Sequence, residues 1–334
     1  RAISLTGAQV GIVTDSTHTK ARIKSISTSR MRKALEDGYI VIVAGFQGID
    51  EDDNITTLGR GGSDTTAVAL AAVMKHDPSG PKLEVACDIF TDVDGVYTTD
   101  PRVCEDARRL NKITFEEMLE MASLGSKVLQ IRSVEFAGKY QVKTRVLSSL
   151  TDPLIALEQE MKSGTLITFE EDSTMEAAVI SGIAFARDEA KITVLSVPDR
   201  PGIAYQILGP IADANIDVDM IIQNQSVDGK TDFTFTVPRA DYQKAMDLLK
   251  NTVQAHIEAK EIAGDPKVSK VSVVGVGMRS HVGVASKMFR TLSEEGINIL
   301  MISTSEIKIS VVIDEKYMEL AVRALHKAFE LDQK

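Results

Sequence analysis

Residues Thr56–Thr65 read TTLGRGGSDT. The apolar run YIVIVA at Tyr39–Ala44 precedes them and reads as a buried strand. DTTAVALAAVM at Asp64–Met74 follows and reads as a buried helix. A glycine-rich turn between strand and helix lets backbone N–H groups approach an anion closely, backed by the positive end of the helix. Arg60 adds a fixed fork of donors suited to a carboxylate or phosphate. Ser63 and Asp64 are good caps for the helix. Gly61, Gly62 and the Ser–Asp pair would equally make a tight turn and cap with no ligand. The loop is neither a Walker loop, since no Lys-Ser/Thr pair follows the glycines, nor the dinucleotide fingerprint.

A second phrase, IFTDVDGVYTTDPR, spans Ile89–Arg102. An apolar lead-in, Leu83–Phe90, ends in Thr91-Asp92, and Asp94-Gly95 and Asp100-Pro101 are turn signals. Ligands of an open α/β sheet sit at the carboxyl ends of its strands, where Thr91 and Asp92 fall. The chain has 334 residues, 43% hydrophobic and 26% charged, enough for two or three globular domains. A net charge of −10 argues against a nucleic acid or an anionic membrane as partner, so an anionic substrate needs local cations such as Arg60. Cys87 and Cys104, with no metal spacing, fit a reducing cytoplasm. No apolar run reaches the length of a membrane span, and no signal-peptide pattern occurs.

The remaining elements of the first half follow from caps and breakers. RMRKALEDG at Arg30–Gly38 is a helix stopped by glycine, its charges forming a solvated face. Gly45-Phe46-Gln47-Gly48 closes the Tyr39–Ala44 strand, and Asp50–Asn54 is a hairpin tip. Thr114 and Glu117 form a capping box. Gly125 splits the pattern from Thr114 to Gln130 into two short helices, the second starting at Lys127. Val142–Ser148 is expected as the last strand of this domain, with a further strand at Gly164–Ile167 after a polar connector.

The second half carries an internal repeat. PGIAYQILGPIADANIDVDMIIQN from Pro201 aligns with VGVASKMFRTLSEEGINILMISTS from Val282, matching Gly202 to Gly283, Ala204 to Ala285 and Ile216 to Ile297. The first copy reads as strands at 191–197, 216–223, 232–237 and 256–262; the second as strands at 271–276, 297–303 and 307–313, without a closing strand. Ala177–Phe185 is an apolar segment with no partner of its own. Since an unpaired buried strand cannot satisfy its backbone, it is expected to complete the second copy, so that the two units interleave. Pro210 is expected to kink or split the first helix. The Pro-Gly turn and the QNQS phrase at Gln223–Ser226 resemble ACT regulatory domains, which bind free amino acids. Asp199, Gly202, Ala204, Gln223 and Asn224 offer an acid for an ammonium, backbone donors for a carboxylate and side-chain amides. Ser280, His281 and Gly283 face Thr304, Ser305 and Glu306 in the second copy in the same arrangement. The alternative is that both units are dimerisation modules only.

GRGGSD together with TDVDGVYTTDPR, followed by the repeat, resembles the aspartate kinases of the amino-acid kinase superfamily over the whole chain. The resemblance implies an α/β fold: an open, mostly parallel amino-acid-kinase sheet covered by helices in residues 1–170, lacking its N-terminal part. Two interleaved ferredoxin-like βαββαβ ACT domains follow, one at 190–264 and one built from 177–186 plus 268–334. The Lys-x-Gly-Gly phosphate motif and the Thr-Gly-Glu phrase of the family are absent from this sequence. It implies phosphoryl transfer from ATP, with Mg²⁺, to the β-carboxylate of L-aspartate. Arg60 would hold the α-carboxylate and Ser63 and Asp64 would orient the amine or the loop, with Phe46, Gly61 and Gly62 around the substrate. Thr91, Asp92, Tyr97, Arg102 and Lys127 would line the nucleotide site. It further implies lysine, threonine or both as effectors, a homodimer or higher oligomer through the ACT units, pairing with a shorter regulatory chain, and a cytoplasmic enzyme without nucleic-acid or membrane partners. The competing reading is a non-catalytic regulatory chain, favoured by the missing phosphate motif; an acetylglutamate or nucleotide kinase is disfavoured by the paired repeats.

Overall fold

The run that follows Gly61 coils into one helix because its small residues recur at helical spacing: Thr65, Val68, Ala69 and Ala72 share the buried face. The computed structural model describes the chain apart from residues 79–83, 126–127, 153, 156–162, 170–178, 226–228 and 334. The chain divides into two units, Arg1–Thr98 with Arg108–Ser181, and Thr99–Ala107 with Gly182–Lys334.

In the first unit β1 (Ala2–Leu5) pairs in parallel with β4 (Ile40–Val43). A small sheet in the order β3-β2-β5-β6 is formed by β2 (Val13–Thr14), β3 (Ile23–Ser25), β5 (Gln47–Ile49) and β6 (Ile55–Thr57). A third sheet has the order β7-β9-β10-β8, from β7 (Ala86–Thr91), β8 (Lys112–Thr114), β9 (Lys143–Ser148) and β10 (Thr165–Thr168). Its pairings are parallel except β9 with β10. The helices are α1 (Ser29–Glu36), α2 (Gly62–His76), α3 (Phe115–Ser123) and α4 (Ile131–Lys139). Leu5, Val10, Ile12 and Met31 form one core with Val41, Val43 and the Leu70–Met74 face of α2.

Several expectations change here. The strand at Ile40–Val43 is only half buried, with Ile40 and Ile42 exposed, because among the described residues β1 alone pairs with it. Arg32 does not belong to a solvated face: it is buried and bonds Asp77 at 2.8 Å, a partner far along the chain. β9 is not the last strand of its sheet, since β10 returns between β9 and β8. The capping box at Thr114 and Glu117 is present, but the next helix starts at Ile131, capped by the Gln130 side chain, rather than at Lys127. Helix α2 begins at Gly62 behind a Gly61 cap, so Ser63 and Asp64 occupy its first turn instead of capping it.

The second unit is a six-stranded antiparallel sheet in the order β12-β13-β11-β14-β16-β15. Its strands are β11 (Gly182–Pro198), β12 (Ile221–Gln225), β13 (Lys230–Pro238), β14 (Glu261–Val274), β15 (Ile299–Thr304) and β16 (Lys308–Asp314). Residues expected as two separate strands on either side of 187–190 are one strand, β11, and the same fusion joins the closing strand of the first copy to the opening strand of the second as β14. The expected strand start at His256 moves to Glu261. The stretch Gly182–Ala186 pairs with Lys270–Val274, so the segment before the first copy does supply the fourth strand of the second; residues 177–178 lie outside the described residues. Each copy is thereby a ferredoxin-like unit, with α5 (Ile203–Asp213) and α6 (Tyr242–Leu248) in the first and α7 (Val284–Glu294) and α8 (Met318–Ala328) in the second. Ile192, Val194, Phe233, Phe235, Ile207 and Ile211 fill the core of the first copy, each burial worth roughly 1.5–3 kcal/mol. Pro210 does not split α5, which runs unbroken to Asp213. The residue before it is Gly209, so the proline ring meets no Cβ there. Cys87 and Cys104 are free and buried. No helix among the described residues is long and apolar enough to cross a membrane.

Candidate active site and effector pocket

The glycine loop is held by its neighbours at main-chain distance. Leu58 N–H donates to the Phe46 carbonyl (3.0 Å), and Gly62 N–H to the Gly59 carbonyl (2.9 Å). Gly59 has φ +90° and a Cβ there would lie 2.6 Å from the Thr19 carbonyl oxygen; Gly61 has φ +71° and a Cβ would lie 2.7 Å from Gln130. Both positions need glycine for conformation and for space. Phe46 adopts φ +71°, uncommon for a bulky residue. Its N–H donates to Thr66 Oγ1 (3.0 Å), whose hydroxyl donates to the Gly62 carbonyl (2.8 Å). The Phe46 ring thus leans on Gly62, where a Cβ would come within 3.0 Å of it.

Arg60 is exposed on the rim of a cavity of about 350 Å³, lined also by Thr19, Lys20, Arg22, Gln130 and Arg132. Four cations face this space. Ser63 is exposed and Asp64 half-buried. Burial raises the Asp64 carboxyl above its ordinary value, opposed by hydrogen bonds from the Gln130 backbone N–H and the Ser63 side chain. Phe46, Arg60, Gly61, Gly62, Ser63 and Asp64 therefore gather around one loop. Gln130 and Arg132 were not foreseen. Arg132 bonds the Leu58 and Ala21 backbone carbonyls, and Gln130 meets the Asp64 and Thr65 side chains some 65 residues away in the chain, which leaves no sequence pattern.

At the carboxyl end of β7, the Thr91 hydroxyl donates to Asp92 (3.2 Å) and the Thr91 carbonyl accepts from Ser149 N–H (2.7 Å) and hydroxyl (2.8 Å). The Tyr97 hydroxyl donates to Asp94 (2.9 Å), which also accepts from Arg109 (3.1 Å). Burial first, and then Asp94, raises the Tyr97 pKa. Thr91, Asp92 and Tyr97 lie in the first unit, whereas Arg102 lies in the Thr99–Ala107 segment grouped with the second. Arg102 is forked on Asp100 at 2.8–3.2 Å and holds that carboxyl below its ordinary value. Lys127 lies outside the described residues.

In the second copy His281, Gly283, Thr304, Ser305 and Glu306 line a cavity of about 520 Å³. Ser280 bonds His281 Nδ1 at 3.2 Å, and that nitrogen also lies 2.8 Å from the Gly277 carbonyl. Arg279, unforeseen, also lines the cavity and pairs with Glu306 at 3.4 Å. In the first copy Asp199, Gly202, Gln223 and Asn224 are exposed and Ala204 is half-buried. Gly202 and Gly283 share φ +91° at the starts of α5 and α7, so the repeat extends to backbone geometry. The Asn224 carbonyl accepts from the Thr231 hydroxyl; Ser226 lies outside the described residues.

Residues 1–148 match the amino acid kinase family, and residues 191–254 and 271–329 each match an ACT domain. An aspartate kinase of Pseudomonas fluorescens (strain SBW25) is 64% identical over 331 residues, 99% of this chain and 76% of that one. Among solved structures, E. coli aspartokinase III in complex with aspartate and ADP (R-state) is 27% identical with a TM-score of 0.77, over 98% of this chain and 70% of that one. The same enzyme in complex with lysine and aspartate (T-state) is 26% identical with a TM-score of 0.70, over 98% and 69%.

Proposed function

The chain belongs to the aspartate kinases, and from that premise we propose that L-aspartate is held at the Gly59–Asp64 loop and that Thr91, Asp92 and Tyr97 border the ATP site. The reaction joins a β-carboxylate oxygen of aspartate to the γ-phosphorus of ATP as the bond to the β,γ-bridging oxygen breaks; ADP leaves and 4-phospho-L-aspartate forms. A carboxylate titrating near ~4 is already ionised at neutral pH, so no general base is required. What remains is positioning and charge neutralisation. Arg60 would fork onto the α-carboxylate of the substrate. Asp64, tied to Gln130 and Ser63, orients the loop or the substrate amine. Arg102 and Lys127 keep their proposed part in offsetting phosphate charge.

Mg²⁺ is held in kinases by one or two carboxylates together with substrate phosphates. Asp92, an exposed carboxylate at the end of β7, fits that donor set. When bound, the Mg²⁺ would neutralise charge on the β- and γ-phosphates.

The observation that carries this reading is that left-handed Gly59 and the exposed Arg60 line one cavity with Lys20, Arg22 and Arg132, on the loop that Phe46 packs against and that runs on through Gly61 to Asp64. Its test is Arg60→Ala. Loss of a bidentate charged contact should raise the aspartate KM about 10- to 100-fold while the ATP KM stays within about twofold. An unchanged aspartate KM removes Arg60 from the role.

Lysine, threonine or both are proposed as effectors of the ACT units, with the Arg279–Glu306 cavity as the second-copy site and Asp199, Gly202, Ala204, Gln223 and Asn224 as its counterpart. Binding there would favour a kinase conformation of weaker substrate affinity. Assembly through ACT units into a dimer or higher oligomer, pairing with a shorter regulatory chain, and a cytoplasmic setting belong to the same proposal. Calorimetric titration with each amino acid tests the pocket: saturable binding lost in Glu306→Gln supports it, and no heat with either opposes it.

A further inference from the structure

We propose that Arg132 is a positioning residue for the substrate carboxylate, acting through the backbone of the Arg60 loop. Arg132 stands in the first turn of α4, where the helix dipole disfavours a cation. Its guanidinium is turned to two carbonyls from different segments: Nη1 donates to the Leu58 carbonyl at 2.8 Å and Nη2 to the Ala21 carbonyl at 3.0 Å. Leu58 lies two residues before Arg60. Ala21 N–H donates to the Thr57 carbonyl at 3.0 Å, and the Thr19 carbonyl crowds Gly59. Arg132 therefore closes a ring through both walls of the cavity that Arg60 borders. Leu58 lines that space, and Ala21 is the buried residue between Lys20 and Arg22, which also line it; a bare carbonyl oxygen so close would repel an anion. With Arg132 between the two carbonyls they are occupied, and the wall turns positive beside Lys20, Arg22 and Arg60. A lysine has no planar fork with which to reproduce the double contact.

This inference rests on placing aspartate at Arg60, and its test separates the two. Steady-state kinetics and thermal midpoints are measured on the full-length protein as wild type, Arg60→Ala, Arg132→Ala, Arg132→Lys and the Arg60/Arg132 double alanine variant. Arg132→Ala should raise the aspartate KM about tenfold, with kcat and the ATP KM within about twofold. Arg132→Lys should recover part of the loss, and guanidinium ion added to Arg132→Ala should recover more. The double variant should be no worse than Arg60→Ala by more than about twofold, since both changes act through one loop. An aspartate KM raised by Arg60→Ala but not by Arg132→Ala overturns this inference alone. An aspartate KM unchanged in Arg60→Ala overturns the site itself. Parallel rises in both substrate KM values with a lowered midpoint in both Arg132 variants would make Arg132 merely structural and overturn the inference.

Discussion

Glycines with the same backbone sign carry different burdens in this chain. Gly61 is left-handed and its missing Cβ leaves room for Gln130, whereas Gly202 is left-handed with nothing within 4 Å. Gly202→Ala should therefore cost only the conformational penalty, about 1–2 kcal/mol. Gly61→Ala should cost more by chemical denaturation. It should also weaken aspartate binding, because it displaces Gln130, the partner of Asp64 and Thr65. Cys87 offers a check on burial. Its pKa is pushed up to about 12 by burial, then by the negative Asp88 and Asp64. At pH near ~8 almost no thiolate exists, so maleimide should leave Cys87 untouched in the folded protein and label it once the unit unfolds. Rapid native labelling of Cys87 would contradict the buried geometry. At this scale the sequence was legible where residue type announces conformation, as in GRGGSD. It was silent where a side chain reaches a distant partner: Arg132 finds carbonyls at Leu58 and Ala21, and Arg32 finds Asp77.

Local signals placed elements well and their boundaries less well. The Thr114–Glu117 box marks the start of α3 because both halves of its reciprocal bonding lie within four residues. The start of α4 was misplaced because its cap, Gln130, is not a common capping residue and wins by tertiary contacts with Thr65 and Asp64. Pro210 was expected to break α5, and Gly209 explains why it does not. A Gly→Ala change inside a helix normally stabilises by roughly 0.5–1 kcal/mol. Gly209→Ala should not, because the new Cβ would meet the proline ring, although the surrounding space is open enough, with Tyr205 at 3.5 Å. In a Pro210→Ala background the same change should regain its usual benefit. Additive effects of the two substitutions in urea unfolding would remove this account of the helix.

The repeat was visible in the sequence, but the continuity of the sheet was not, because a strand shared by two units has no local mark. β11 and β14 each run through both copies, with a register irregularity from Ala186 through Glu189 to Lys191 where the pairing passes from one to the other. Unfolding of the second unit should accordingly be one transition. A fragment cut at 190–264 would sever β14 inside its pairing with β11 and should fail to melt cooperatively. A charge cluster sits at the same passage: buried Lys270 pairs with Glu189 at 3.5 Å and with Asp219. Burial raises the Glu189 carboxyl above its ordinary value, and Lys270 opposes the rise. Lys270→Met strands buried Glu189, at a cost of about 3–5 kcal/mol, while half-exposed Asp219 turns to water. It also removes the opposition, so the folded pKa of Glu189 climbs further above its unfolded value. A carboxyl that binds its proton more tightly in the folded state stabilises below the unfolded pKa, and that stability is lost as pH rises toward the folded pKa. Denaturant unfolding of Lys270→Met should therefore show stability falling, as pH rises above the ordinary glutamate range, more steeply than in wild type. A deficit independent of pH would mean that Glu189 stays ionised in the variant, and that water or Arg239, which reaches the nearby carbonyls of Arg187 and Val268, replaces the lysine.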